Sequence, residues 1–285
     1  MSDAEVIKKY RGNCHCGAFV FEVELPEIKT VADCNCSICY KRGALWTMPK
    51  QPPTIVKGDD NTLVKYMFGA KTATHEFCGN CGTPVLAAMI ASGENGKSMN
   101  LDIWSLNRKP LDGAKLDPQY VPSVYSGPEP KPASFEGGKL YHGSCHCGAV
   151  TLAVKLKDPL EDGVYKEEIM DCNCSFCRRS GAIWIYPTHD QLAIHGSENL
   201  SHYVWGNKVW RRTFCRNCGT YVFTEPNLLT EEEVAALPER ARTMRARTLD
   251  RRPLNIRVLD GFDVKAVTPI QGDCWALLQP GYVNP

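Results

Sequence analysis

The sequence predicts a mainly β protein. It is expected to consist of two tandem domains of short antiparallel sheets pinned by metal, with a helical insertion in the second. Three observations lead there. Seven cysteines recur in the same order in each half of the 285-residue chain. A run of period-two hydrophobicity follows the first cysteine pair in both halves. Turn-forming clusters such as Gly58-Asp59-Asp60-Asn61 and Gly196-Ser197-Glu198-Asn199 then divide the rest into short segments.

The repeat is legible residue by residue. Gly12-Asn13-Cys14-His15-Cys16-Gly17-Ala18 aligns with Gly143-Ser144-Cys145-His146-Cys147-Gly148-Ala149, an offset of 145 − 14 = 131. The run Cys34-Asn35-Cys36-Ser37-Ile38-Cys39 aligns with Cys172-Asn173-Cys174-Ser175-Phe176-Cys177 at 172 − 34 = 138. Phe77-Cys78-Gly79-Asn80-Cys81-Gly82-Thr83 aligns with Phe214-Cys215-Arg216-Asn217-Cys218-Gly219-Thr220 at 215 − 78 = 137. Such near-constant offsets mean a tandem duplication with small loop insertions. Ser126-Gly127-Pro128-Glu129-Pro130-Lys131-Pro132 reads as the linker, because its prolines lack amide donors and fix φ. The domains are therefore expected at 1–127 and 137–285.

In the first half, Phe19, Phe21, Val23 and Leu25 alternate with Val20, Glu22 and Glu24. In the second, Val150, Leu152, Val154 and Leu156 alternate with Thr151, Ala153 and Lys155. Each reads as a half-buried antiparallel strand. Further strands are expected around Trp46, Val64 to Phe68, Pro84 to Ala88 and Leu101 to Trp104. Their counterparts are Trp184 to Tyr186, Ser201 to Trp205, Tyr221 to Thr224 and Leu254 to Leu259. The symmetry breaks after the last cysteine pair. The first half has a short loop, Ala91 to Ser98. The second has a segment at 227–253 that is longer by (255 − 218) − (100 − 81) = 18 residues, with Asn100 and Asn255 taken as equivalent. Thr230-Glu231-Glu232-Glu233 is a capping box with an acidic first turn. Pro238 then ends that helix or opens another, and Arg240, Arg242, Arg245, Arg247, Arg251 and Arg252 follow. A solvated helical excursion is the plain reading. A lid or basic rim over the second site is the sharper one, and it favours the second copy as the active one.

Composition narrows the function classes. Formal net charge is +1, so no general attraction to nucleic acid or anionic membrane is expected. No window approaches a membrane span, and the first residues lack the apolar core of a signal peptide. A reducing, cytoplasmic location is the expectation. Fourteen of the fifteen cysteines lie in C-x-C and C-x-x-C runs, and these then read as metal ligands rather than disulfides.

Seven thiols per half divide most simply into four plus three. A structural site needs pairs on two separate loops. Cys14, Cys16, Cys78 and Cys81 provide this in the first half, and Cys145, Cys147, Cys215 and Cys218 in the second. Gly17, Gly82, Gly148 and Gly219 permit the tight turns that aim amides at the sulfurs. This leaves Cys34, Cys36 and Cys39, with Cys172, Cys174 and Cys177. Three protein ligands and an exchangeable fourth position describe a catalytic zinc. Three thiolates leave Zn²⁺ with a net negative charge, a weak Lewis acid that should prefer a soft external thiol. Two other readings stand beside this one. Asp33 or Asp171 could complete a second structural site, or the three thiols could be a redox store. Up to four Zn²⁺ per chain are expected, two structural and two of catalytic type.

The ordered motifs G-x-C-x-C-G, C-x-C-S-x-C and F-C-x-x-C-G-T resemble the glutathione-dependent formaldehyde-activating enzyme family, which includes the centromere protein V type. The resemblance covers nearly the whole chain as two copies. It implies a β-tent fold around a structural zinc held by the outer pairs, with the catalytic zinc on the middle run. It implies carbon–sulfur lyase chemistry interconverting S-hydroxymethylglutathione with glutathione and formaldehyde. Glutathione would then be a co-substrate, and a small-molecule thiol adduct or related metabolite the partner. A non-catalytic zinc-binding interaction module of the centromere protein V type is the alternative.

The remaining candidates are secondary. Lys41, Arg42, Arg178 and Arg179 follow the inner runs and could pair with substrate carboxylates. Ser37 and Ser175 could donate to a sulfur or cap a loop. Trp46 and Trp184 read as core. His15 and His146 are expected to face solvent, and the histidines at 75, 142, 189, 195 and 202 do not recur as pairs. Cys274 reads as a small buried residue.

Overall fold

The computed structural model of the chain describes residues 6–59, 61–89, 97–100, 107–115, 119–275 and 281–285. In the first half, β1 (Ile7–Asn13) and β2 (Val20–Pro26) pair antiparallel, and their connection carries the first C-x-C. Then come β3 (Thr30–Cys34), helix α1 (Ser37–Arg42), β4 (Leu45–Thr47), β5 (Thr54–Lys57) and β6 (Leu63–Tyr66). β7 (Ala73–Cys78), β8 (Pro84–Met89), β9 (Lys97–Asn100) and β10 (Asn107–Leu111) complete it. A three-stranded sheet has the order β1-β2-β5, and a second sheet the order β10-β3-β4-β9-β8-β7-β6.

The second half repeats this. β11 (Lys139–Ser144) and β12 (Thr151–Leu156) form the hairpin. β13 (Met170–Cys172), α2 (Ser175–Ser180), β14 (Ile183–Ile185) and β15 (Leu192–His195) follow. β16 (Leu200–Val204), β17 (Trp210–Cys215) and β18 (Tyr221–Pro226) lead to α3 (Glu231–Ala236) and α4 (Glu239–Thr248). β19 (Leu254–Asn255) and β20 (Ile270–Gly272) finish it. The sheet orders are β11-β12-β15 and β16-β17-β18-β19-β14-β13-β20, strand for strand those of the first half. By contacts, one unit comprises Met1–Val121, Arg178–Gly181 and Val283–Pro285, and the other Pro122–Cys177 and Ala182–Tyr282. Among the described residues no helix is long and apolar enough to cross a membrane.

The mainly β class and the duplication hold. Asn100 lies opposite Trp46 and Asn255 opposite Trp184, which supports the alignment of the two halves. Several details differ from the sequence expectation. Val20, Thr151 and Ala153 are buried as well as the alternate residues, because these hairpins are covered on both faces near the first cysteine pair. β7 and β17, which deliver Cys78 and Cys215, escaped the strand assignment. The strand expected over 254–259 stops at Asn255, whose side chain accepts from the Arg257 amide and starts a 3₁₀ turn. The strand expected over 101–104 lies outside the described residues, as does most of the loop from Ala91. Two pairings are parallel rather than antiparallel: β10 beside β3, and β20 beside β13. Each brings a late segment alongside the inner cysteine run.

The insertion is helical, as expected. Thr230 Oγ1 accepts from the Glu233 amide at 3.2 Å, and the Glu233 carboxylate accepts from the Thr230 amide at 2.8 Å. Pro238 stands at the N-cap of α4 and so separates the two helices. Most of the arginines are engaged locally. Arg242 and Arg245 donate to the carbonyls of Ala235 and Asn227, and Arg251 to that of Tyr186. Arg252 lies over the Phe223 ring and near Glu225. Thr230→Ala should uncap α3. A loss of about 1 kcal/mol makes the Glu233 amide exchange roughly fivefold faster, readable by hydrogen exchange.

Candidate metal centres

The outer clusters sit where two hairpins meet. Cys14 and Cys16 lie in the turn after β1, and Cys78 and Cys81 at the end of β7 and the turn beyond it. Cys145, Cys147, Cys215 and Cys218 repeat this arrangement. Gly17, Gly82, Gly148 and Gly219 all have positive φ, between 65° and 77°, which lets the chain fold back on each pair. The Gly82 amide donates to the Cys78 carbonyl and the Gly219 amide to that of Cys215, both at 2.8 Å. The Phe19 and Val150 amides donate to the sulfurs of Cys14 and Cys145 at 3.3 and 3.2 Å.

The sulfurs fit zinc. Metal–sulfur bonds of about 2.3 Å in a tetrahedron require sulfurs about 3.8 Å apart. Cys14 and Cys16 are 3.6 Å apart, and Cys16 and Cys78 3.7 Å. Cys145 and Cys147 are 3.6 Å apart, as are Cys147 and Cys215. Within each cluster all four sulfurs lie within 4.8 Å of one another. Neighbouring thiols, Cys14 first, hold Cys16 well below the ordinary thiol range, and Cys145 lowers Cys147 in the same direction. Such a cluster without a cation can keep only some of its sulfurs ionised.

The inner clusters occupy a strand-to-helix turn. Cys34 ends β3, Cys36 is the N-cap of α1, and Cys39 is buried in its first turns. Cys172, Cys174 and Cys177 stand in the same way on β13 and α2. Each trio also lies within 4.8 Å. The amides of Cys174 and Cys177 point at the sulfurs of Cys172 and Cys174, at 3.5 and 3.4 Å. Hydrogen bonds from Cys36 and Cys39 push Cys34 down to about 3, and donation to Cys34 pushes Cys36 up to about 11. Cys39 is raised by its bonds to Cys34 and Cys36 and by burial.

Two aspartates do not join these clusters. Asp33 faces Arg108 at 3.8 Å, and Asp171 accepts from the Gln271 amide group at 3.2 Å. Lys41 and Arg42 are buried at the end of α1, with the Arg42 guanidinium 5.2 Å from the Phe77 ring centre. Arg179 is also buried and Arg178 half-buried. His15 and His146 are buried rather than solvent-facing, since their amides reach inward to the hydroxyls of Thr83 and Thr220.

Sequence reasoning missed three features. The Trp46 indole N–H donates to Cys39 Sγ at 3.1 Å, and that of Trp184 to Cys177 Sγ at 3.2 Å. The signal was present: 184 − 46 = 138, the offset of the inner run itself. His75 packs 6.4 Å from the Trp46 ring, whereas its register counterpart Arg212 lies 6.0 Å from the Trp184 ring. Cys274 is half-buried, and the nearby Cys172 thiol lowers its pKa.

The sequence model of the family described as glutathione-dependent formaldehyde-activating enzyme matches residues 9–120 and again 140–243. The chain belongs to this family. A protein of Aspergillus terreus, provisionally named as such an enzyme, is 28% identical over 113 residues, covering 38% of this chain and 54% of the relative. One of Halomonas elongata, named in the same way, is 33% identical over 90 residues, covering 28% and 53%. The chain thus spans about half the length of the curated relatives it matches. A crystal structure of a Rhodobacter sphaeroides protein aligns at 27% identity over 46% of this chain and 98% of its own, with a TM-score of 0.33.

Cys218→Ser should unfold the second half, because its outer cluster cross-links two hairpins. Cys174→Ser should lower metal content yet leave the far-ultraviolet spectrum unchanged. Equal unfolding in both variants would contradict the division of roles. Trp46→Phe keeps the ring and loses the donor to Cys39. Zinc affinity at that centre should fall about tenfold, measured by competition with a chromogenic chelator.

Proposed function

We propose that the chain is a zinc-dependent, carbon–sulfur lyase-like enzyme. It acts on a thiol adduct of the glutathione type, in a reducing compartment such as the cytoplasm. The observation that supports this best is the inner trio itself. Three thiols converge at a strand-to-helix turn, an indole N–H reaches the third sulfur, and neither neighbouring aspartate supplies a fourth ligand. On this reading the four clusters would hold up to four Zn²⁺ per chain, the outer two structural and the inner two of catalytic type.

Cys34, Cys36 and Cys39 would hold the catalytic ion, as would Cys172, Cys174 and Cys177. When bound, the zinc would take a thiol sulfur as its fourth ligand and stabilise it as a thiolate. The reaction cleaves the carbon–sulfur bond of a hydroxymethyl thioether. The bonding pair leaves with sulfur, the hydroxyl loses its proton, and formaldehyde departs. Reversal makes the adduct. The indole donors of Trp46 and Trp184 draw charge from one protein sulfur and so leave the centre more receptive to the substrate's. Lys41, Arg42, Arg178 and Arg179 are the proposed partners of the substrate carboxylates.

Zinc-loaded protein should accelerate exchange between glutathione plus formaldehyde and S-hydroxymethylglutathione, followed by exchange NMR. Cys36→Ser combined with Cys174→Ser should return the rate to background with the fold intact. An unchanged rate in that variant would remove the three-cysteine centre from the chemistry.

A further inference from the structure

The two inner centres are built alike and finished differently. In the first half, β10 runs parallel to β3 with Leu111 opposite Cys34. The Asn35 amide donates to the Leu111 carbonyl at 3.1 Å, and its side chain donates to Asp112 at 3.1 Å. The Ala114 amide returns a bond to Asn35 Oδ1 at 3.0 Å. In the second half, β20 runs parallel to β13 with Gly272 opposite Cys172. The Asn173 amide donates to the Gly272 carbonyl at 3.0 Å, and its side chain to Asp273 at 2.8 Å. The Trp275 amide returns the bond to Asn173 Oδ1 at 2.8 Å. These matched bonds make Leu111-Asp112-Gly113 the equivalent of Gly272-Asp273-Cys274.

Gly113 and Cys274 therefore occupy one position in the two halves. A β-carbon added at Gly113 would stand 2.3 Å from Cys34 Sγ and 3.1 Å from Cys36 Cβ. A side chain here points straight at the first sulfur of the trio. With glycine here Cys34 is half-exposed, whereas its counterpart Cys172 is buried. In the second half the residue at this position is a half-buried thiol, just outside the 4.8 Å within which the trio's own sulfurs lie, so it would close onto the centre only around a bound ion.

A second difference matches the first. Tyr66 pairs with His75 in β6 and β7, and Tyr203 pairs with Arg212 in β16 and β17. Arg212 lies over the Phe176 ring at 5.2 Å, and Nη1 donates to Thr224 at 3.0 Å. Its charge acts on Cys174, Cys177 and Cys274. Divalent zinc with three thiolates carries one net negative charge, and with four it carries two. The half with the extra thiol also has the fixed guanidinium.

We propose that Cys274 is the fourth protein ligand of the second inner centre, which is therefore a closed four-thiolate site, while the first inner centre, faced by Gly113, keeps the exchangeable position. Thiol-adduct chemistry then belongs to the first half. This reverses the preference that the insertion suggested. The inference rests on the reading that the inner trios bind a metal.

The test uses the full chain loaded with Co²⁺ or Zn²⁺. Metal content should be four ions per chain, one for each cluster. Adding 2-mercaptoethanol should shift the cobalt spectrum by the amplitude of one centre in the wild type and of two in Cys274→Gly. In the zinc-loaded wild type, Cys274 should react with iodoacetamide roughly tenfold more slowly than in Cys174→Ser, where its metal is lost. Equal alkylation in the two proteins, or a two-centre shift already in the wild type, would overturn the proposal. A content of two ions per chain would instead overturn the inner metal reading, and the proposal with it.

Discussion

Thiols gathered at van der Waals distance are the constraint on which everything else in this molecule depends. Four sulfurs within 4.8 Å cannot all ionise without a cation among them. The hydrogen bonding within the clusters shows this, with Cys16 held low and Cys78 pushed high by the same neighbours. A zinc ion held there would relieve the repulsion and at once tie together the two hairpins that supply its ligands. Small sheets of two to seven residues per strand gain from this, because each buries little apolar area on its own. The left-handed glycines beside each outer pair belong to the same requirement, since the chain must turn sharply to present two sulfurs in one direction.

The inner centres depend on a different kind of support. Their sulfurs come from one short stretch, so no long loop is closed by binding a metal. What fixes them is the surrounding sheet: a tryptophan from β4 or β14 below, and a parallel strand alongside. On the proposed reading the scaffold would keep its shape if an inner metal were lost. At the first inner centre that is the property expected of a position where ligands come and go.

Much of this was legible in the sequence because the cysteine spacing is rigid and repeated. The division into outer and inner sets needed only the ligand count of zinc, and the capping box at Thr230 needed only its local pattern. The buried histidines were not legible, because a residue between two ligands can face either way until the turn is built. Nor was the strand carrying Cys78, whose polar Thr74 and His75 mask its alternation. The indole donors could have been found from their offset, but a tryptophan near a cysteine reads first as core. Cys274 was hidden most deeply. Its partner lies about a hundred residues earlier, and the helical insertion shifts the alignment that would have set it opposite Gly113.

The parallel strand has a consequence for how the second half comes together. Its outer cluster is complete once the chain has reached Cys218, and its hairpins can close on metal there. The inner trio is made earlier still, yet β20 and the residue after Asp273 emerge only after the whole insertion has been synthesised. Assembly is therefore vectorial. The pairing of β13 with β20 joins residues about a hundred positions apart and can form only after the insertion has been made. Until it forms, the inner trio of the second half has neither its parallel strand nor Cys274 beside it.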